Sequence, residues 1–329
     1  MPKVFVGALG GTIAMSSDSS TDPVRPKLGA EDLVSAVPEL LEIADIKSKT
    51  IKNVASPSIV VDDILAAYRY AIEAVEAGAD GVVLTHGTDT LEESAFLLDL
   101  IWDREEPLVL TGAMRSPNLL SPDGAGNLMS AVVTAADKRS KSLGVLVVLD
   151  EAVHLAKTVA KTNSSSVWTF QSPSWGPVAR IVEREIHYCM KPSDRNSSLP
   201  LPALGPINIP IIESPFADEG SWVESIASTK PRAIIVSASG AAHLSMAAAE
   251  KLEKVIENGI PVIVASRTGS GKTLTRTYGY PGSESWLLEH GFILSGFLTA
   301  RKARILAHVL ISAGYSGGKL KEKIEAYGA

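Results

Sequence analysis

The chain has 329 residues, 45% of them hydrophobic and 21% charged, enough for one large or two medium domains with a sizeable core. A formal net charge of −6 without any basic block argues against nucleic acid and anionic membranes as partners. One cysteine, Cys189, excludes an intrachain disulfide and a thiolate metal cluster; in HYCMKP it reads as a half-buried filler residue.

The opening MPKVFVGALGG is too short for a secretory signal, and no apolar stretch approaches the ~20 residues of a membrane span, so the expected home is the cytoplasm. Strands are predicted at 4–9, 81–84, 108–110, 144–149, 233–236 and 262–265. Each is a continuous apolar run, as in parallel strands buried on both faces. Amphipathic helices fall between them. One starts with Asp62 as N-cap and carries Ile64, Tyr68, Ile72 and Val75 on one face until Gly78. A second carries Leu91, Ala95, Leu98 and Trp102, and a third Leu128, Val132 and Ala135. Alternating strand and helix predicts an α/β fold of two open parallel-sheet, flavodoxin- or Rossmann-like domains. The proline-rich KPSDRNSSLPLPALGPINIP divides them. The expected organisation is an N-terminal catalytic domain over 1–190, a linker over 191–212 and a smaller C-terminal domain over 213–329.

Ligands in open α/β sheets sit at the carboxyl ends of strands, and three such ends carry unusual residues. In GALGGTIAM the first strand ends in Gly10-Gly11, followed by the hydroxyl of Thr12. In LTHGTDTLEESA a single turn holds Thr85, His86, Thr88, Asp89 and Thr90; a capping box between Thr90 and Glu93 accounts for those two residues and leaves Thr88 and Asp89 unexplained. In AKTNSSSVWTF, Lys161 precedes a run of hydroxyl residues. A threonine is a weak nucleophile until a neighbouring base takes its proton. A lysine becomes such a base when burial lowers its pKa. Thr88, Lys161 and Asp89 supply hydroxyl, base and orienting carboxylate, Thr12 a second hydroxyl, and the glycine turns supply N–H groups for an oxyanion.

LGGTIA (9–14) and THGTDTLEESA (85–95) together make the sequence resemble the bacterial-type L-asparaginases, with further matches at 111–137, 161–177 and 291–304. The resemblance covers nearly the whole chain. It implies hydrolysis of the side-chain amide of asparagine, and often glutamine, through a threonine nucleophile, without metal or organic cofactor. It also implies a homotetramer of two intimate dimers, each active site being shared between the N-terminal domain of one subunit and the C-terminal domain of its partner. Thr12 matches the nucleophile, with Thr88 as its rival, and Thr88, Lys161 and Asp89 match a second catalytic group. For substrate binding the resemblance implies Gly11, Ser56, Pro57, Asp89, Glu284 and His243. The sequence departs from the family twice. Residues 15–30 hold no tyrosine where a catalytic one usually stands; Pro23 or Val24 takes its place. Pro57 stands where an amide often touches substrate. Tyr278 or Tyr280 is the expected replacement for the tyrosine. The competing readings are a catalytically weakened amino-acid sensor and an ammonia-generating subunit of an amidotransferase.

The strand over 262–265 runs into SRTGSGKT, which resembles a nucleotide-phosphate loop. That loop needs a glycine where Ser266 stands and a helix directly after it, whereas LTRTYGYPG follows. The stretch reads instead as a long loop delivering Glu284.

Overall fold

The computed structural model describes residues 1–16, 25–190, 195 and 198–329. The positions expected to replace the loop tyrosine, Pro23 and Val24, lie outside them. The chain forms two compact units, Met1–Ser198 and Leu199–Ala329.

The first unit runs β1 (Lys3–Gly10), a 3-10 turn at Thr12–Ala14, β2 (Met15–Ser16), β3 (Arg25–Pro26), α1 (Ala30–Ser35), α2 (Leu40–Ile43) and β4 (Asp45–Val54). A second 3-10 turn at Ser56–Ser58 leads to α3 (Val61–Glu76), β5 (Gly81–Thr85), α4 (Leu91–Ile101), β6 (Leu108–Thr111) and α5 (Gly124–Ala136). Then follow β7 (Val145–Leu149), β8 (Ala152–Leu155), β9 (Ala160–Lys161), β10 (Phe170–Gln171), β11 (Ala179–Val182) and β12 (Glu185–Tyr188).

The main sheet has the order β12-β11-β8-β7-β6-β5-β1-β4. Its strands from β4 to β7 pair in parallel, and β5, β6 and β7 are buried at every position, as their apolar runs predict. The sheet is not parallel throughout, however. β8, β11 and β12 extend it antiparallel. Two-residue turns make two of its three antiparallel pairings, β7–β8 and β11–β12. Asp150 and Glu151 both take positive φ between the paired Leu149 and Ala152, and Glu183 and Arg184 do so between Val182 and Glu185. Two consecutive left-handed residues give the twist that an antiparallel hairpin requires.

α3 also differs from expectation. Its N-cap is Val60 rather than Asp62, and Asp63 Oδ2 accepts the Val60 N–H at 3.2 Å. Its buried face is Ile64, Ala67, Tyr70, Ala71 and Ala74; Tyr68, Ile72 and Val75 flank it half-buried. Alanines let the helix axis approach the sheet closely, so the larger side chains splay to the sides. The Thr90–Glu93 capping box does not form: Thr90 Oγ1 donates instead to the Ser56 carbonyl at 3.0 Å. Cys189 is exposed, because it lies just past edge strand β12.

The second unit holds β13 (Ile211–Glu213), α6 (Val223–Ser228), β14 (Ile234–Ala238), α7 (Met246–Glu257), β15 (Val262–Ser266), α8 (Glu284–Glu289), β16 (Ile293–Leu294), α9 (Ala300–Ser312) and α10 (Gly317–Tyr327). Its sheet, β13-β14-β15-β16, is parallel throughout. Its core gathers Ile234, Val236, Leu252, Val264, Leu287 and Phe292. Among the described residues, no helix is long and apolar enough to cross a membrane.

Candidate active site

Counted in chain order, the parallel strands of the first sheet are β1, β4, β5, β6 and β7, and they lie side by side as 2-1-3-4-5. The order reverses between β1 and β5. At such a switch point the loops leaving the two strands diverge and open a crevice at their carboxyl ends. Gly11-Thr12 leave β1 there, and His86 to Thr90 leave β5.

Close packing joins these turns. Gly11 sits at φ 86°, and a Cβ on it would fall within 3.0 Å of both the Cα and the amide nitrogen of Gly87. Gly87 in turn abuts Ser56, which is buried at the exit of β4. Ser56 Oγ accepts the Asp89 N–H at 3.2 Å while the Ser56 carbonyl accepts Thr90. Gly11, Ser56 and the Thr88–Asp89 turn thus belong to one packed group, with half-buried Thr12 following Gly11 and exposed Pro57 following Ser56.

Lys161 reaches this group from β9. Its Nζ lies 3.0 Å from Thr88 Oγ1 and 2.6 Å from Asp89 Oδ1. Thr88 is buried, the Lys161 side chain is 16% exposed and the Asp89 side chain 60% exposed. The hydroxyl is therefore shielded while the carboxylate faces water. Such an arrangement passes a proton between a threonine and a lysine held in place by an acid. His86, one residue before Gly87, is fully buried and donates from Nδ1 to the Gly87 carbonyl at 2.7 Å. Burial pushes its pKa down to about 4 against the opposing pull of that carbonyl, so its imidazole is neutral.

One contact here was not predicted from the sequence. Glu92 Oε2 accepts the backbone N–H of Lys161 at 2.5 Å. A glutamate in the first turn of a helix reads as a solvated end charge, and only the fold shows that α4 turns it inward.

Glu284 and His243 come together in the second unit. Glu284 opens α8, as the long loop from β15 delivers it, and is 0% exposed. Its Oε1 accepts the N–H groups of Thr277 and Tyr278, both at 2.7 Å, and its Oε2 accepts His243 Nε2 at 2.9 Å. Burial raises its pKa, but the backbone N–H groups of Tyr278, Glu284 and Thr277, with His243, outweigh it and hold the carboxyl below its usual range. His243 Nδ1 lies 2.9 Å from the Tyr280 hydroxyl, and Tyr278 packs edge-on against the same imidazole. A carboxylate, an imidazole and a half-exposed phenol thus form one hydrogen-bonded chain. Residues Arg267–Ser283 contain neither helix nor strand, which removes the phosphate-loop reading of GSGKT. Among the described residues, no cluster of three His, Cys, Asp or Glu side chains could hold a metal ion.

Residues 3–194 match the family model described as "Asparaginase, N-terminal", and residues 208–323 match "Glutaminase/Asparaginase C-terminal domain". The chain is 34% identical to the probable periplasmic L-asparaginase of Haemophilus influenzae over 95% of its length and 89% of the relative's. It is 33% identical to L-asparaginase 2 of Escherichia coli over the same shares of the two chains. The structure of a probable cytoplasmic L-asparaginase from Campylobacter jejuni superposes with a TM-score of 0.88 at 29% identity, covering 99% of each chain.

Proposed function

Because this chain belongs to the asparaginase family, we propose that it is an amidohydrolase that converts L-asparagine to L-aspartate and ammonia, with glutamine as a side substrate. The observation that carries this reading is the contact of Lys161 Nζ with both Thr88 Oγ1 and Asp89 Oδ1 at a sheet switch point.

The Thr12 hydroxyl attacks the side-chain amide carbon and forms a tetrahedral oxyanion. Backbone N–H groups near Gly11 and Thr88 stabilise it. The proton lost by the attacking oxygen passes to the amide nitrogen, the C–N bond breaks, and ammonia leaves. Water then cleaves the threonyl ester, with Thr88, Lys161 and Asp89 moving the protons. Ser56 takes the substrate α-carboxylate and Asp89 the α-amino group, beside Gly11 and Pro57. In the second unit this reading assigns Glu284 and His243 as binding groups, and Tyr280, at the outer end of the chain through His243, as the phenol that residues 15–30 lack.

The same reading includes a homotetramer in which a partner subunit completes each site; light scattering that finds a monomer at working concentration would remove it. It also includes a cytoplasmic location. The Campylobacter jejuni neighbour is described as cytoplasmic and the Haemophilus influenzae relative as periplasmic, and cell fractionation distinguishes the two for this protein. The activity is tested by ammonia release from L- and D-asparagine and L- and D-glutamine. Ammonia is expected from L-asparagine first. Tight amino-acid binding with no ammonia from any of the four would replace the hydrolase with a sensor.

A further inference from the structure

We infer that Glu92 is a positioning residue that places Lys161 for proton transfer, a role resting on the amide-hydrolysis reading above. Glu92 is the second residue of α4 and is 2% exposed. Its Oε2 holds the backbone N–H of Lys161 at 2.5 Å, while the Nζ of the same lysine contacts Thr88 and Asp89. Thr88, Asp89 and Glu92 fall within five consecutive residues, yet Lys161 comes 69 residues after Glu92. One short segment thus grips the lysine at both its backbone and its ammonium.

The grip matters because of where Lys161 sits. β9 and β10 form a two-residue ribbon separate from the main sheet. A two-stranded ribbon is at best marginally stable by itself. Its tip is closed by Thr162 and Asn163 against Thr169, and its base by Thr158 and His154 on Ser172. These bonds shape the ribbon and tie it to β8; none of them reaches α4. The Glu92 bond does, and it connects the ribbon to the helix that directly follows the Thr88–Asp89 turn.

Solvent separates the two grips in strength. The Lys161–Asp89 pair has a 60% exposed carboxylate, so water and salt compete for it. The Glu92 bond is shielded from water, where a hydrogen bond is electrostatically stronger. The exposed contact is free to change during proton transfer, while the buried one keeps the lysine Cα in place.

The test is steady-state ammonia release by the full-length protein with wild type, Glu92→Gln and Glu92→Leu, alongside thermal unfolding and amide exchange at Lys161. Glu92→Gln keeps an oxygen of the same reach and is expected to hold kcat within about threefold. Glu92→Leu removes the acceptor; kcat is expected to fall on the order of tenfold to a hundredfold with KM little changed, the scale of an ~1 Å misplacement. A folded Glu92→Leu protein with wild-type kcat overturns the inference. So does a Glu92→Gln protein as impaired as Glu92→Leu, because charge rather than anchoring would then be the cause. If Glu92→Leu does not fold, Lys161 amide exchange in the wild type decides: slow exchange supports the anchor, and exchange as fast as at a free strand end overturns it. Wild-type protein without ammonia release defeats the hydrolase reading alone, since the exchange measurement stands independently.

Discussion

Gly11 and Gly87 meet backbone to backbone, with no room between them for a Cβ on Gly11. One glycine follows β1 and the other follows β5, so their contact sets the spacing of the Thr12 and Thr88 turns. Gly11→Ala must push the turns apart and also places alanine at φ 86°. kcat is expected to fall by about a hundredfold, with a loss of about 1–3 kcal/mol in stability. Gly78→Ala is the control: its φ is 85°, but nothing stands within 4 Å of the added Cβ. It is expected to lose stability and keep kcat. Ammonia release and thermal unfolding of both variants give the comparison.

Lys161→Met keeps the length of the side chain and removes the ammonium from Thr88 and Asp89. Loss of a positioned proton carrier is expected to lower kcat by about 10²–10⁴. Stability is expected to change by less than about 1 kcal/mol, since the Asp89 partner is largely in water. Single-turnover acylation separates the two threonines. Thr12→Ala is expected to abolish acylation and Thr88→Val to slow it; near-wild-type acylation in Thr12→Ala would transfer the nucleophile role to Thr88.

Tyr280→Phe deletes the hydroxyl that meets His243 Nδ1 and leaves the ring. The ring is 48% exposed, so the fold is expected to be unaffected. If the Glu284–His243–Tyr280 chain carries protons for the reaction, kcat falls on the order of tenfold or more. Unchanged kcat and KM would leave the chain a structural feature of the loop.

Two buried histidines set a pH dependence. Burial lowers both His86 and His308 from the usual 6.5 to about 4; for His308, the charges of Arg232 and Arg304 add to the effect. Between pH 6.5 and about 4 the unfolded chain binds protons that the folded chain refuses. Stability is therefore complete above pH 6.5 and declines as pH falls toward 4, by about 1.4 kcal/mol per unit per histidine. Urea unfolding of wild type and His308→Leu over this range is expected to show a shallower decline in the variant. Parallel slopes would mean that His308 takes up its proton in the folded state.

The apolar runs of β5, β6 and β7 marked buried strands because a strand covered on both faces must be apolar at every position. The antiparallel edge was hidden because Asp150-Glu151 and Glu183-Arg184 lack the Asn-Gly or Asp-Gly signature of a tight hairpin. α3 was misjudged in rotation because periodicity weights large side chains, and here alanines pack against the sheet.

By itself the sequence determined the reaction class, through its resemblance to the L-asparaginases: Thr12, Thr88 and Asp89 stand in LGGTIA and THGTDTLEESA and Lys161 in a third matching stretch, all local properties of the chain. Tertiary structure alone decided what each polar group bonds to. Thr90 bonds to Ser56 and not to its own helix, Glu92 turns inward to Lys161, and His243 joins Glu284 to Tyr280. Each of these bonds links residues 34 to 69 positions apart. A side chain takes the best partner within about 3 Å, and which partners lie that close is known only once the strands have been placed beside one another.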